Sequence, residues 1–85
     1  PSIDVLFESA ADTFGDKTIG IILTGSSTDG ALGLAAIKNS GGLAIVQEPS
    51  TAESNVLPKS AIALVAGAKI LPLNEIASAL VEMTR

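Results

Sequence analysis

The sequence predicts an α/β domain in which helices cover both faces of a mainly parallel sheet, a three-layer α/β/α architecture. Short apolar or β-branched runs at residues 18–24, 43–47 and 69–71 alternate with segments of helical periodicity. The composition is 47% hydrophobic but includes only two aromatic residues. Ala, Leu, Ile and Val therefore carry the apolar content, as is typical of buried parallel strands under alanine-rich helices. The predicted order is α-β-α-β-α-β-α, and 85 residues allow one domain at most.

The first half of the chain predicts a helix, a strand and a second helix. Ser2 is the expected N-cap of a helix over residues 3–14, and Gly15 is its expected end. Residues 18–24 predict a strand buried on both faces, and a polar loop connects it to a helix over residues 30–39. The side chains predicted to face inward are Ile3, Leu6, Phe7, Ala10, Ala11 and Phe14 in the first helix, and Ala31, Leu34, Ala35 and Ile37 in the second.

The second half predicts a strand over residues 43–47, a helix, a short strand and a last helix. Pro58 suits the first turn of the third helix, which is expected over about residues 58–65, because its missing N–H has no partner there anyway. Residues 69–71 predict a strand that Pro72 ends. Asn74 is the expected N-cap of the last helix, whose apolar side comprises Ile76, Leu80 and Met83.

Composition and charge exclude several classes of function. The net charge of −4 without a basic cluster argues against nucleic-acid binding. The chain has no histidine, so it cannot complete histidine-based acid–base catalysis by itself. It has no cysteine, no apolar segment of about 20 residues and no signal peptide, which favours a cytoplasmic protein without membrane insertion. We expect no metal site and no cofactor.

A sheet of three strands has two open edges, and an open apolar edge is a liability. We therefore expect another part of the same protein, or a second copy of this chain, to cover one edge. The sequence also lacks an initiator methionine. Together these features predict a piece of a longer chain that self-associates when it is isolated.

The loop from Gly25 to Gly30 follows the first strand, where ligands gather in open α/β sheets. Its glycines have the spacing of a phosphate-binding loop, but Ala31 and Leu32 replace the required Lys and Ser/Thr. Ser27 replaces a glycine of the dinucleotide fingerprint. Asp29 replaces the second glycine of a nucleophile elbow, so the loop serines are not predicted to be nucleophiles.

Asp29 has two compatible interpretations. An acid before a helix is a typical N-cap, stabilised by backbone N–H groups and the helix dipole. An acid held at the end of a buried strand can also orient a histidine of a catalytic site. A metal site is not predicted, since Asp29 has no acid or histidine partner nearby in the sequence.

The order of short motifs along the chain resembles the CheB-type protein-glutamate methylesterases. The matching segments are Pro1–Phe7, Ile22–Gly25, Asp29–Leu34, Lys38 with Gly41 and Gly42, Pro58 with Ala61 and Ile62, and Leu71–Ala77. The resemblance implies an α/β serine hydrolase with a Ser-His-Asp triad. Thr24 to Ala31 aligns with the family's Thr-Gly-Met-Gly-x-Asp-Gly-Ala loop, so Asp29 matches the triad acid, whereas the segments that carry Ser and His do not occur in this chain.

The resemblance further implies that residues 1–85 are the carboxyl-terminal part of the catalytic domain. The parent enzyme would hydrolyse glutamate methyl esters on bacterial chemoreceptors in chemotaxis adaptation and release methanol, and the isolated chain would be inert. Ser26 and Ser27 stand where the family usually has Met and Gly, and Leu57 where it often has Met. The backbone N–H of Ser26 would serve near the oxyanion. A second hypothesis is a non-catalytic α/β interaction module that assembles through its open sheet edge.

Overall fold

The structure, a computed structural model, describes residues 2–83 and has the predicted order of elements. Two short 3-10 turns, Gly15–Lys17 and Pro49–Thr51, interrupt the connections. The order α-β-α-β-α-β-α is confirmed, and the bounds are α1 Ile3–Phe14, β1 Ile19–Ile22, α2 Ala31–Asn39, β2 Leu43–Gln47, α3 Val56–Leu64, β3 Lys69–Leu71 and α4 Leu73–Met83.

The three strands form one parallel sheet in the order β1-β2-β3. In this register Ile22 pairs with Val46, and Val46 pairs with Ile70. Because successive side chains of a strand alternate between faces, Ala44 and Val46 point to one face of the sheet, while Ile45 and Gln47 point to the other. The first face packs against α2 and α3, and a cleft lined by Leu71 and α4 places α4 on the second. The predicted three-layer α/β/α class is confirmed.

The core lies between the sheet and the α2–α3 pair. β2 is the central strand, and Ala44, Ile45 and Val46 are fully buried, as predicted for this strand. The prediction that β1 is buried on both faces is wrong, since Ile19 is 38% exposed. β1 is an edge strand, and α2 covers only one of its faces. The buried cluster contains Ile22, Ala31, Leu34, Ala44, Val46, Leu57, Ala61 and Val65.

Helix α1 lies against α2 rather than on the sheet. It begins and ends as predicted: the Ser2 hydroxyl accepts a hydrogen bond from the Val5 N–H, at 3.4 Å, and Gly15 follows its last residue. The predicted inward stripe is wrong over much of its length, because Leu6 is 65% and Phe14 is 61% exposed. A helix that packs mainly against one neighbouring helix buries a narrower strip than one that lies on a sheet.

Helices α3 and α4 each begin earlier than predicted. α3 starts at Val56, so Pro58 is its third residue and lies in the first turn, as predicted. α4 starts at Leu73, directly after Pro72, and Asn74 is therefore its second residue rather than its N-cap. Pro72 has the fixed φ that suits a helix start. Within residues 2–83, no helix combines the length and the apolar character that a membrane crossing requires.

Candidate active site

Asp29 lies in the loop between β1 and α2, beyond the carboxyl end of the edge strand β1. Its side chain is half-buried. The preceding residues of the loop, Ser26 to Thr28, are exposed, and Gly30 behind it is buried. The loop therefore presents a partly accessible carboxylate at the edge where open parallel sheets place their functional groups.

Three donors hold the Asp29 carboxylate, and all of them come from the start of α1. Oδ1 accepts hydrogen bonds from the Ser2 hydroxyl at 3.0 Å and from the Asp4 N–H at 3.1 Å. Oδ2 accepts one from the Ile3 N–H at 2.9 Å. Asp29 is thus an N-terminal cap of α1, to which it is linked across 25 or more residues of sequence.

This arrangement corrects the cap interpretation of Asp29. The sequence places Asp29 directly before α2, and it was expected to cap that helix. The N-cap residue of α2 is instead Gly30, whose φ of 115° lies in the left-handed region that favours glycine. Since Gly30 has no side chain, α2 has no cap of its own.

The first turn of α2 is capped from outside by Asp4. Asp4 Oδ1 accepts hydrogen bonds from the Gly30 N–H at 2.9 Å and from the Gly33 N–H at 2.7 Å. The two helices therefore exchange caps: Asp4 of α1 caps α2, and Asp29 before α2 caps α1. Sequence reasoning missed Asp4, because an acid in the first turn of α1 is already explained by the dipole of that helix.

Hydrogen bonds from the N–H groups of Ile3 and Asp4, followed by the Ser2 hydroxyl, hold the pKa of the Asp29 carboxyl below its ordinary value, although desolvation opposes them. Asp29 is therefore ionised at neutral pH. A carboxylate offers about four lone-pair positions, and three donors occupy Asp29. Its remaining capacity, on Oδ2, suits one further donor such as an imidazole N–H.

The start of the loop is anchored to the segment before α3. The N–H of Gly25 and the hydroxyl of Thr24 both donate to the Ser54 carbonyl, at 3.0 and 3.1 Å. Ser54 in turn donates from its N–H to Thr24 Oγ1 at 2.7 Å and from its hydroxyl to the Gly25 carbonyl at 3.0 Å. The Leu57 N–H also donates to the Gly25 carbonyl, at 3.0 Å. The loop that carries Asp29 is thus fixed at both ends.

Ser26 and Ser27 occupy the exposed tip between these anchors. Ser27 Oγ accepts a hydrogen bond from the Asp29 N–H at 3.0 Å. Among residues 2–83, only glycines have a positive φ, so Ser27 adopts an ordinary backbone conformation. The backbone at this position therefore does not require a glycine, and the serine adds a contact that supports Asp29.

The described residues provide no metal centre and no complete triad. No group of three or more His, Cys, Asp or Glu side chains within residues 2–83 is placed to hold a metal ion. The sequence contains no histidine, so the acid and the loop are present without the histidine that a triad needs. A cleft of about 330 Å³ lies between β3 and α4, and Asp29 and Ser26 are not among the described residues that line it.

The sequence profile of the CheB methylesterase family matches residues 1–80. A protein of Leptospira interrogans is 51% identical over 83 residues, which are 98% of this chain and 43% of the relative. The protein-glutamate methylesterase/protein-glutamine glutaminase 1 of Carboxydothermus hydrogenoformans is 47% identical over 77 residues, 91% of this chain and 23% of that protein.

The same likeness is found in three dimensions. The crystal structure of the CheB methylesterase catalytic domain of Thermotoga maritima superimposes with a TM-score of 0.87 at 33% identity. The match covers 98% of this chain and 44% of that domain. The chain thus spans less than half the length of the relatives that it matches. By sequence and by fold, it belongs to the CheB methylesterase family.

Proposed function

We propose that residues 1–85 are the carboxyl-terminal part of a protein-glutamate methylesterase domain, and that Asp29 is the acid of its Ser-His-Asp triad. The observation that carries this proposal is the Asp29 carboxylate itself. It is ionised, held by three donors and partly exposed, and it keeps an acceptor position free. These are the properties that an orienting acid of a triad needs.

In this proposal the serine and the histidine come from the part of the domain outside this chain. The serine attacks the ester carbonyl, and the histidine takes its proton and gives it to the departing methoxide, so that methanol is released and an acyl-serine forms. Water, activated by the same histidine, then attacks the acyl-serine, which releases the glutamate side chain and restores the serine. Asp29 holds the histidine in the correct tautomer and stabilises the imidazolium. The backbone N–H of Ser26, at the exposed tip of the loop, donates to the oxyanion. No cofactor enters the reaction.

The proposed substrate is a glutamate methyl ester on the cytoplasmic region of a chemoreceptor, and the proposed role is chemotaxis adaptation in a cytoplasmic signalling pathway. The names of the relatives join methylesterase and protein-glutamine glutaminase activities. Both are acyl transfers from the side chain of a glutamate derivative, with methanol or ammonia as the leaving group. The same triad therefore suits both reactions.

The experiment that tests Asp29 uses the complete protein that contains this chain. Asp29→Asn keeps the shape of the side chain but removes its charge, and we expect turnover of a methylated receptor to fall by about 10⁴-fold. Asp12→Asn, which removes the same charge from an exposed position of α1, is the matched control and should retain the normal rate. A near-normal rate for Asp29→Asn would contradict the triad assignment.

The isolated chain offers a complementary test. We expect the purified 85-residue chain to be inert toward methyl esters, because it lacks histidine. Hydrolysis that depends on Asp29 would contradict this. The exposed β1 edge and the exposed Ile19 and Leu23 side chains favour self-association of the isolated chain. Light scattering should therefore report a dimer or a larger assembly. A monomer in solution would contradict the expected self-association.

The second candidate is a non-catalytic α/β module that assembles through the open edge of β1. The absence of histidine and the exposed apolar side chains favour it. The gene upstream of Pro1 separates the two candidates. A Gly-x-Ser-x-Gly-Gly turn followed by a histidine supports the esterase, and a start codon directly before Pro1 supports the module.

A further inference from the structure

The starts of α1 and α2 lie in direct contact and share their polar groups. The Asp4 carboxylate binds the N–H groups of Gly30 and Gly33, and the Asp4 N–H binds the Asp29 carboxylate. Asp4 therefore forms hydrogen bonds with both Asp29 and the residue that follows it, Gly30. A cap on an isolated helix contacts only that helix, whereas Asp4 caps α2 through its carboxylate and also donates its own N–H to a second carboxylate, that of Asp29.

The Asp29 carboxylate takes all its described donors from the start of α1, whereas Ser27, in its own loop, supports only its backbone N–H. Its three donors belong to Ser2, Ile3 and Asp4, so the carboxylate is fixed only as well as the first turn of α1 is fixed. The first turn of α1 is held against α2 through the bonds of Asp4 to Gly30 and Gly33, at 2.9 and 2.7 Å. Removal of the Asp4 carboxylate would free the donors of Asp29 to move relative to its backbone.

Resting on the function proposed above, we propose that Asp4 is a positioning residue of the methylesterase: its carboxylate holds the start of α1 against α2 and so fixes the direction of the Asp29 carboxylate. Asp4 does not touch substrate or the reacting atoms in this proposal. It acts through the angle at which Asp29 meets the histidine, and a misplacement of about 1 Å can cost about 100-fold in rate.

A purely structural cap would have a different signature. Loss of such a cap would lower the melting temperature, but the enzyme molecules that remain folded would hydrolyse the substrate at the normal rate. A positioning residue lowers kcat of the folded enzyme, with little change in KM, because the interaction with Asp29 matters in the transition state rather than in substrate binding. Comparison of the change in kcat with the change in KM therefore separates a positioning role from a purely structural one.

The test compares three variants in the complete protein that contains this chain. Asp4→Ala removes both acceptor bonds. Asp4→Asn keeps a side-chain oxygen that can accept from Gly30 and Gly33, since Asn is as good a helix cap as Asp. Ser40→Ala is the matched control, because Ser40 donates to the Ala36 carbonyl at 2.6 Å at the other end of α2 and is far along the helix from Asp29.

We expect Asp4→Ala to lower kcat by about 10- to 100-fold with KM nearly unchanged, at a temperature where the protein remains folded. Asp4→Asn should recover most of that loss. Ser40→Ala should lower the melting temperature without lowering kcat. If Asp4→Ala and Ser40→Ala lower only the melting temperature, or if Asp4→Asn is as slow as Asp4→Ala, the positioning role is overturned.

The outcome for Asp29→Asn in the same assay keeps the two proposals apart. If Asp29→Asn is nearly inactive and Asp4→Ala turns over normally, the triad assignment stands and the positioning role fails. If Asp29→Asn turns over normally, the triad assignment fails and the positioning role fails with it.

Discussion

Gly33 and Asp4 approach each other so closely that a side chain at position 33 has no room. A Cβ on Gly33 would stand 2.6 Å from the Phe7 Cβ, 2.9 Å from the Asp4 Cα and 3.1 Å from the Asp4 carbonyl oxygen. The Gly33 N–H donates to Asp4 Oδ1 at 2.7 Å. The missing side chain therefore lets α1 and α2 meet backbone to backbone and makes the exchange of caps possible.

We expect Gly33→Ala to lower the free energy of unfolding by about 1–3 kcal/mol, as overpacking of a close contact does. Alanine is the better helix former by about 1 kcal/mol, so the sign of the change tests the contact rather than propensity. Asn39→Ala, at the exposed end of the same helix, is the control and should be neutral or stabilising. Urea unfolding of the chain measures both, and a stabilised Gly33→Ala would contradict the close approach.

A second prediction concerns Gln47, the buried polar side chain of β2. It is 2% exposed, and its Nε2 donates to the Thr51 carbonyl at 2.9 Å and to Thr51 Oγ1 at 3.2 Å. Gln47→Glu places a carboxylate against that carbonyl, and we expect a loss of about 3–5 kcal/mol near neutral pH, as for an unpaired buried charge. The loss should shrink as the pH falls and the carboxyl becomes protonated.

The control for this variant is Gln47→Met, which removes the hydrogen bonds without adding charge. It should cost less, about 1–3 kcal/mol, because the Thr51 carbonyl then lacks this donor. Unfolding in urea at several pH values distinguishes the two. Equal losses for Gln47→Glu and Gln47→Met at neutral pH would show that the site is open to water.

A third prediction follows from the lowered pKa of Asp29. Because the folded pKa lies below the unfolded value of about 3.9, ionised Asp29 stabilises the fold above that pH, and the contribution is lost as the pH falls through the folded pKa. The difference in unfolding free energy between the natural chain and Asp29→Asn should therefore be largest near pH 6 and shrink toward about pH 3.

Asp12→Asn is the control for the loss of one negative charge from the same pair of helices. Only a pH dependence of the unfolding free energy that appears with Asp29→Asn and not with Asp12→Asn is assigned to Asp29. A difference between the natural chain and Asp29→Asn that stays constant over this range would contradict the assignment of the three donors to an ionised carboxylate.

Local sequence patterns were sufficient to predict the bounds of the elements that clear local signals delimit. The bounds of α1 and β2 were predicted to the residue, because caps, glycines and apolar runs mark them. The exposure of Leu6 and Phe14 was not predictable, since periodicity says which side of a helix is apolar and not how much of that side meets a neighbour. The early starts of α3 and α4 were not predictable either, because the ends of a helix depend on contacts with distant residues that a local pattern does not contain.

For the site, the sequence singled out Asp29 but assigned it to the wrong helix. A carboxylate before a helix is expected to cap that helix, and only the packing of α1 on α2 brings in Ile3 and Asp4 from 25 or more residues away. Asp4 was overlooked for the same reason. The sequence pattern explains Asp4 within α1 and Asp29 within the loop before α2, whereas the hydrogen bonds that hold both carboxylates join these two segments.

The exchange of caps also has a consequence for local opening of the fold. If the first turn of α1 frays, Asp29 loses its donors, and Gly30 and Gly33 lose the Asp4 carboxylate in the same event. We therefore expect the two helix starts to open together as one cooperative unit. We expect the amide hydrogens of Ile3, Asp4, Gly30 and Gly33 to exchange with solvent through a shared opening, although they belong to the starts of two different helices.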